Sequence, residues 1–221
     1  MKTMSSRLVW IALAAILFGA CAPASTQTPD TRDTPQAAPP TPTSPTAQDL
    51  ATAQATAEVG PTCDGTPTTA QTEGPYYKAG SPERTRLVEG SVSGTPLLVT
   101  GRVLDADCQP VAGAKVDFWQ ADAQGDYDNA GYGMRGHQLT DEDGGYRLET
   151  VVPGEYPGRT PHIHVKIFDP AGRELLTTQL YLPGLSELVP DSIFDPALLT
   201  SELPPESDGR RHVSFDFIVA R

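Results

Sequence analysis

The chain has 221 residues, with 16 Lys or Arg against 28 Asp or Glu, for a formal charge of −12. That balance argues against a nucleic-acid or anionic-membrane surface, because phosphate binding needs clustered Lys and Arg. Cysteines number only three and histidines four, so the position of each needs a cause.

Residues 1–20 carry Lys2 and Arg7, then an apolar run from Leu8 to Phe18, then small residues before Cys21. This is the layout of a secretory signal, and the run is too short to cross a bilayer as an ordinary transmembrane helix. FGAC at 18–21 resembles a bacterial lipobox. Residues 1–20 are therefore expected to be a lipoprotein-type signal peptide with Cys21 lipidated; cleavage after Ala22 by the ordinary signal peptidase is the alternative. The chain is expected to be exported as a cell-envelope lipoprotein on the outer face of a membrane, touching it only through the lipid at Cys21. A soluble secreted or periplasmic protein follows from the alternative. Losing Lys2 and Arg7 with the signal would take the charge from −12 to −14.

Residues 21–62 shift to Pro, Thr, Ala and Gln, with eight prolines and no aromatic residue between Ala22 and Pro61. Such a segment buries too little apolar surface to offset the entropy of ordering it, and is expected to be a disordered tether. In a polyproline-like conformation of about 3.1 Å per residue it would reach on the order of 120 Å.

Residues 63–221 have the length of one domain with a substantial core. Apolar and β-branched runs alternate with Gly, Pro, Asp and Asn clusters: PLLVTGRVL, AKVDFWQA, GYRLETV, HIHVKIFD, LLTTQLYL and RHVSFDFIVA. The spacing predicts an all-β domain, an antiparallel β-sandwich, with Trp119 in the core. In VSFDFIV, Val213, Phe215, Phe217 and Val219 fall on one face, and a short helix is expected around Pro196–Leu199. If Cys21 is lipidated, Cys63 and Cys108 remain as a pair in an oxidising compartment, which predicts a disulfide; two unpaired thiols are the alternative. GRVLDADCQPVAGAKVDFWQADAQGDY, read alone, fits a prealbumin-like sandwich module that does no chemistry.

The stretch YPGRTPHIHV, 156–165, asks for more. On a strand His162 and His164 face the same way, roughly 6.6 Å apart along the backbone, and two such imidazoles can converge on one metal. Two exposed strand histidines would have the same spacing. Tyr156 precedes the pair in a Gly/Pro-rich loop, and Tyr127 follows the Gly125 turn after the Trp119 strand. Tyrosine, with a reference pKa near 10, seldom ligates divalent ions, but a ferric ion can displace its proton. The absence of Asp or Glu within HIH leaves no ferrous two-histidine, one-carboxylate triad there.

TEGPYY (72–77), VDFWQADAQGDYDN (116–129), RGHQLTDEDGGYRLETVVPGEYPGRTPHIHVKIF (135–168) and TTQLYLPG (177–184) together resemble the intradiol ring-cleavage dioxygenases, the family of catechol 1,2-dioxygenase and protocatechuate 3,4-dioxygenase. The resemblance implies a β-sandwich and a non-haem Fe(III) cofactor held by Tyr127, Tyr156, His162 and His164. It further implies that Tyr156 is the ligand released when substrate arrives, and that Arg159 and Gln179 line the substrate pocket as catalytic residues. The implied substrates are a catechol-type ring and O2, and the product a cis,cis-muconate-type diacid. Read without the resemblance, Arg159 would pair with Glu155 or another surface acid. Tyr76, Tyr77, Tyr132 and Tyr146 match no ligand position and are expected to pack, with Tyr76 or Tyr77 at the pocket rim, and His137 and His212 lie outside the motif. The chain lacks the family's helical N-terminal dimerisation region, and its loop between Tyr156 and His162 is short, which suggests an open mouth for substituted catechols. Two other classes fit parts of the pattern, a non-catalytic secreted prealbumin-like binding module and an extracellular ferric- or catecholate-binding protein.

Overall fold

In the computed structural model of this chain the described residues are 63–90, 93–185 and 190–221. The expected signal peptide, Cys21 and the tether lie outside them. The β-branched runs form nine strands among these residues: β1 (Pro96–Asp105), β2 (Lys115–Gln120), β3 (Arg135–Leu139), β4 (Gly145–Val151), β5 (His162–Phe168), β6 (Glu174–Tyr181), β7 (Ser201–Leu203), β8 (Arg211–Ser214) and β9 (Phe217–Val219). The expected short helix is a single 3₁₀ turn, Pro196–Leu198, started by Asp195, whose carboxylate accepts from the Ala197 amide.

One sheet runs β4-β1-β8-β7 with β9 also on β1, and the other runs β3-β2-β5-β6. Leu97, Val99, Val103, Leu148, Val213 and Phe217 from the first meet Val116, Phe118, Ile163, Val165, Ile167 and Leu180 from the second, all buried, as a sandwich requires. The all-β sandwich is the expected fold. Within it β1 pairs in parallel with β8 and β9, where antiparallel pairing was expected. The long connection after β6 lets the C-terminal stretch return beside β1 in the same direction, which no hairpin allows.

The predicted final strand is broken at Phe215–Asp216. There the Arg102 amide and guanidinium both bond to the Asp216 carboxylate, at 2.8 and 2.9 Å. Gly101 permits the crossing, since a Cβ there would lie 1.8 Å from the Phe215 carbonyl oxygen. Val213, Phe217 and Val219 enter the core as the alternation implies, and Phe215 packs against its margin. β3 and β7, short and polar, had no strand signal in the sequence.

The second sheet decides where the chemistry sits. Because Ile163, Val165 and Ile167 point into the core, His162, His164 and Lys166 point outward. Register places Trp119 and Gln179 on either side of His164, and Tyr181 beside His162. Trp119 is buried as expected, but on this outer face and not between the sheets, because Phe118 takes the inward position.

The outer face is roofed by the segment from Thr69 to Arg84. Its Gln71 amide bonds to the Thr177 carbonyl at 2.8 Å, its Thr72 carbonyl accepts from Gln179 Nε2 at 3.1 Å, and its Glu73 pairs with Lys166. Tyr77 packs on Trp119, with 4.8 Å between ring centroids, and Ser81 bonds to Asp117 at 2.7 Å. A Cys63–Cys108 disulfide ties the start of this segment to the turn after β1. Closing a loop across a separation of 45 residues is expected to stabilise by roughly 4 kcal/mol on the chain-entropy account. Cys63→Ser should therefore lower the unfolding free energy by about 2–4 kcal/mol in urea titration. A loss below about 1 kcal/mol would mean that the roof is held by its other contacts alone.

Candidate metal centre

Pro161 ends the approach to β5, and the next residue, His162, begins the ladder. The imidazole Nδ1 of His162 lies 2.6 Å from the Thr160 carbonyl oxygen. A carbonyl only accepts, so Nδ1 carries the proton and Nε2 is left with a lone pair. That Nε2 lies 3.1 Å from His164 Nε2 and 3.4 Å from the Tyr156 hydroxyl. His164 is held flat against the Trp119 indole, with centroids 4.8 Å apart and planes 5° from parallel. Above it, Gly74 comes so close that a Cβ would sit 3.3 Å from His164 Cε1. Both imidazoles are almost fully buried.

The tyrosines come from two loops locked to each other. Asp122 turns the chain after β2 by accepting the Gln124 and Asp126 amides, and its carbonyl accepts those of Gly125 and Gly154. Gly125, at φ 90°, abuts the neighbouring loop so closely that a Cβ would be 2.1 Å from the Glu155 carbonyl oxygen. This contact sets Tyr127 against Tyr156, with ring centroids 5.8 Å apart and nearly perpendicular. Tyr76 from the roof stacks on Tyr127 at 4.2 Å. A turn closed by the Arg159 amide on the Tyr156 carbonyl brings Arg159 back over its own loop, where Nη1 donates to the Tyr156 hydroxyl at 3.3 Å.

Arg159 pairs with Asp191, not Glu155, at 3.0 Å through Nε, and Nη2 bonds to the Gln179 amide oxygen. All six side chains singled out in the sequence thus meet at one place: Tyr127, Tyr156, Arg159, His162, His164 and Gln179. His137 and His212 lie elsewhere, on Ser81 and Thr100. Tyr146 bonds to the Phe215 carbonyl and Tyr132 to that of Ala79.

Burial governs the electrostatics here. It lowers the pKa of His162 to about 4, helped by the nearby Arg159 charge, and lowers His164 further below its ordinary value. It raises Tyr127 far above the usual phenol range, with the neighbouring Tyr156 adding to the rise. Tyr156 is also raised by burial, while Arg159 pulls it back. Without a cation the centre is therefore four neutral donors.

The donor set fits a metal of high charge. Among the described residues no cluster of three or more His, Cys, Asp or Glu could hold an ion; the donors gathered here are two imidazoles and two phenols. The two imidazole Nε2 atoms, 3.1 Å apart, are close enough for one ion to be shared between them. Among the described residues, the buried side-chain atoms without a hydrogen-bond partner are the Tyr127 hydroxyl, His164 Nδ1 and Trp119 Nε1, all at this centre. An unpartnered buried hydroxyl costs about 1–3 kcal/mol, and such groups gather where a ligand completes them.

Sequence reasoning missed three contributors. Asp191 lies in a stretch without periodicity, 32 residues from Arg159 in the chain. The indole of Trp119 read as core filler. Arg135, 2% exposed, holds the Tyr76 carbonyl at 2.6 Å and the Asp128 carbonyl at 3.1 Å; it opens the 135–168 motif, but no role was drawn from it. Tyr76 of TEGPYY, expected with Tyr77 in packing or at the pocket rim, lies against Tyr127 and Tyr156.

Residues 72–219 match the family model Dioxygenase_C, described as "Dioxygenase". The chain is 33% identical over 172 residues to 6-chlorohydroxyquinol 1,2-dioxygenase of Cupriavidus pinatubonensis, covering 66% of this chain and 62% of that protein. It is 37% identical over 122 residues to the protocatechuate 3,4-dioxygenase beta chain of Burkholderia cepacia, covering 48% and 52%. The chain spans 45–62% of the length of such curated relatives. Among solved structures, the dioxygenase domain of a dioxygenase–carbohydrate-binding fusion from Streptomyces sp. SirexAA-E is 49% identical at a TM-score of 0.65, covering 70% of this chain and 99% of that one. An intradiol ring-cleavage dioxygenase from Tetranychus urticae is 26% identical at 0.61, covering 70% and 94%.

The depressed histidines make the metal-free protein acid-sensitive above the carboxylate range. Between pH 6.5, the unfolded value, and about pH 4, the folded value of His162, the unfolded chain binds more protons. Stability is present above pH 6.5 and falls as pH drops through that window, by on the order of 3 kcal/mol for His162. Urea midpoints of metal-free protein at pH 7.0, 5.5 and 4.5 should decline in step; a flat profile would contradict burial of neutral imidazoles.

Proposed function

We propose, because the chain belongs to the intradiol dioxygenase family, that this centre holds non-haem Fe(III) through Tyr127, Tyr156, His162 and His164 and opens catechol-type rings with O2. The observation that carries the reading is the convergence of two imidazole Nε2 atoms 3.1 Å apart with the Tyr156 hydroxyl, 3.4 Å from one of them, on a face that also buries an unpartnered Tyr127 hydroxyl. Ferric iron, when bound, supplies the charge that makes phenolates of buried phenols and a Lewis-acid centre at which a catecholate reacts with O2 without prior reduction of the metal.

The chain's own part is proton handling and charge placement. A catechol must lose two protons to chelate, and Tyr156 Oη is placed to take one. It is the less deeply buried of the two phenols, and its oxygen already accepts from Arg159 Nη1. Tyr127, deeper and wedged between Tyr76 and Tyr156, is the donor that stays. Thr160 fixes the His162 tautomer, and the Trp119 stack fixes the plane of His164, so both nitrogens face the centre before anything binds. Arg159 and Gln179 line the side on which charge builds up in the ring, where a fixed guanidinium stabilises it better than water that must reorganise. Both O2 atoms enter the product, a cis,cis-muconate-type diacid, so ring and oxygen together account for every atom. The expected setting is outside the cytoplasm, as an envelope lipoprotein or a secreted protein, in keeping with the Cys63–Cys108 bridge.

Oxygen uptake with catechol, hydroxyquinol and protocatechuate, on protein of measured iron content, tests the reading directly. Iron-loaded protein should be red to brown from phenolate-to-iron charge transfer. His164→Ala should lose its iron, and Tyr156→Phe should slow turnover by at least about a hundredfold, the scale of a lost proton acceptor. Colourless protein that retains zinc and consumes no oxygen would point instead to a non-catalytic binding module.

A further inference from the structure

We propose that Asp191 is a positioning residue for Arg159 and that, by neutralising that guanidinium, it makes the centre select uncharged catechols over carboxylated ones. This rests on the ring-cleavage reading above. The Asp191 side chain is completely buried, 0% exposed. Its Oδ1 accepts from the Ile193 amide at 3.1 Å and its Oδ2 from the Thr160 amide at 3.1 Å, so two backbone groups immobilise the carboxylate before it meets Arg159. Arg159 Nε then docks on Oδ2 at 3.0 Å. With that edge fixed, the planar guanidinium has one orientation left, Nη1 to the Tyr156 hydroxyl and Nη2 to the Gln179 amide oxygen. Gln179 is itself pinned by the Thr72 carbonyl and the Tyr181 hydroxyl. The cation reaches the reacting side of the centre already aimed.

The same contacts leave Arg159 itself without a free positive charge. Arg159 is matched by Asp191, whereas Arg135 keeps its charge, its donors taken by the Tyr76 and Asp128 carbonyls and its guanidinium 5.9 Å from the centroid of the Tyr127 ring. Lys166, on the same sheet face, lies between Glu73 and Glu174. A carboxylate on an incoming ring would shed its water beside a buried Asp–Arg pair that is already neutral and offers no net charge to compensate the loss. An uncharged catechol loses nothing of the kind.

Asp191→Asn keeps the shape and the Oδ1 contact but removes the charge; Asp191→Glu keeps the charge. The first measurement is calorimetry on iron-loaded protein with 4-hydroxybenzamide and 4-hydroxybenzoate, an uncharged and an anionic ligand of nearly equal shape. The native protein should bind the amide at least tenfold more tightly, Asp191→Asn should narrow that ratio at least tenfold, about 1.4 kcal/mol, and Asp191→Glu should keep it. The second is kinetics with catechol, where Asp191→Asn should lower kcat about tenfold with a smaller change in KM. A native protein that prefers the benzoate would overturn the selectivity whether or not the variants fold. An Asn variant with native fold, ratio and kcat would overturn the role of Asp191 altogether. Because the ligand ratio is read without turnover, a native protein that cleaves no ring would refute the proposed reaction and still leave Asp191 to be judged.

Discussion

Two imidazoles held side by side on one face of a strand, and stripped of water there, are what the rest of this molecule is arranged around. The position is costly, since desolvation takes from each histidine the protonated form that water would support. The fold tolerates it because β5 is central in its sheet, with β2 on one side and β6 on the other. Neither neighbour can move without breaking a ladder, so the Trp119 stack and the Gln179 contact come with the register. Thr160, just before the strand, settles the tautomer of His162.

From that constraint follows a division between stability and chemistry. The core lies between the sheets and is apolar, while the centre lies on the outside of one sheet, under a segment that contributes no strand of its own. Polar groups here need not compete with core packing, but the face must still be kept from bulk water, and the segment from Thr69 to Arg84 does so. Its attachments are individually modest, and several are ion pairs or hydrogen bonds with a partly exposed partner. The disulfide matters because it removes freedom from the end of the segment that would otherwise fray first.

The sheet-forming part of the fold was legible in the sequence because period-two alternation is a local property. Val116, Phe118, Ile163, Val165 and Ile167 announce an inward face, and His162 with His164 must then share the outward one. The four metal-binding candidates were legible in part for the same reason and in part through the resemblance of their motifs. What stayed hidden depends on contacts distant in the chain. Parallel pairing of β1 with β8 and β9 is decided by the return path after β6, which leaves no mark on either strand. Asp191 shows only Pro before it and Ser after it, and its meaning comes from Arg159. Trp119 gave a misleading signal, since a large aromatic on a strand is core by default; here it is buried by the roof and the histidine instead.

Charge explains why a chain of −12 places two arginines beside four neutral donors. Were Tyr127, Tyr156, His162 and His164 to hold ferric iron as proposed, the two phenolates would offset most of its charge. An unmatched buried charge costs several kcal/mol, and Arg159 avoids that cost by pairing with Asp191. Pairing with Asp191 limits the field of Arg159, while carbonyl oxygens hold Arg135 in place without removing its charge. The guanidinium of Arg159 then presents a donor aimed at the Tyr156 oxygen. That orientation is inherited from the backbone amides of Thr160 and Ile193 through Asp191, so the placement of a proton acceptor traces back to the path of a loop with no strand pattern in its sequence.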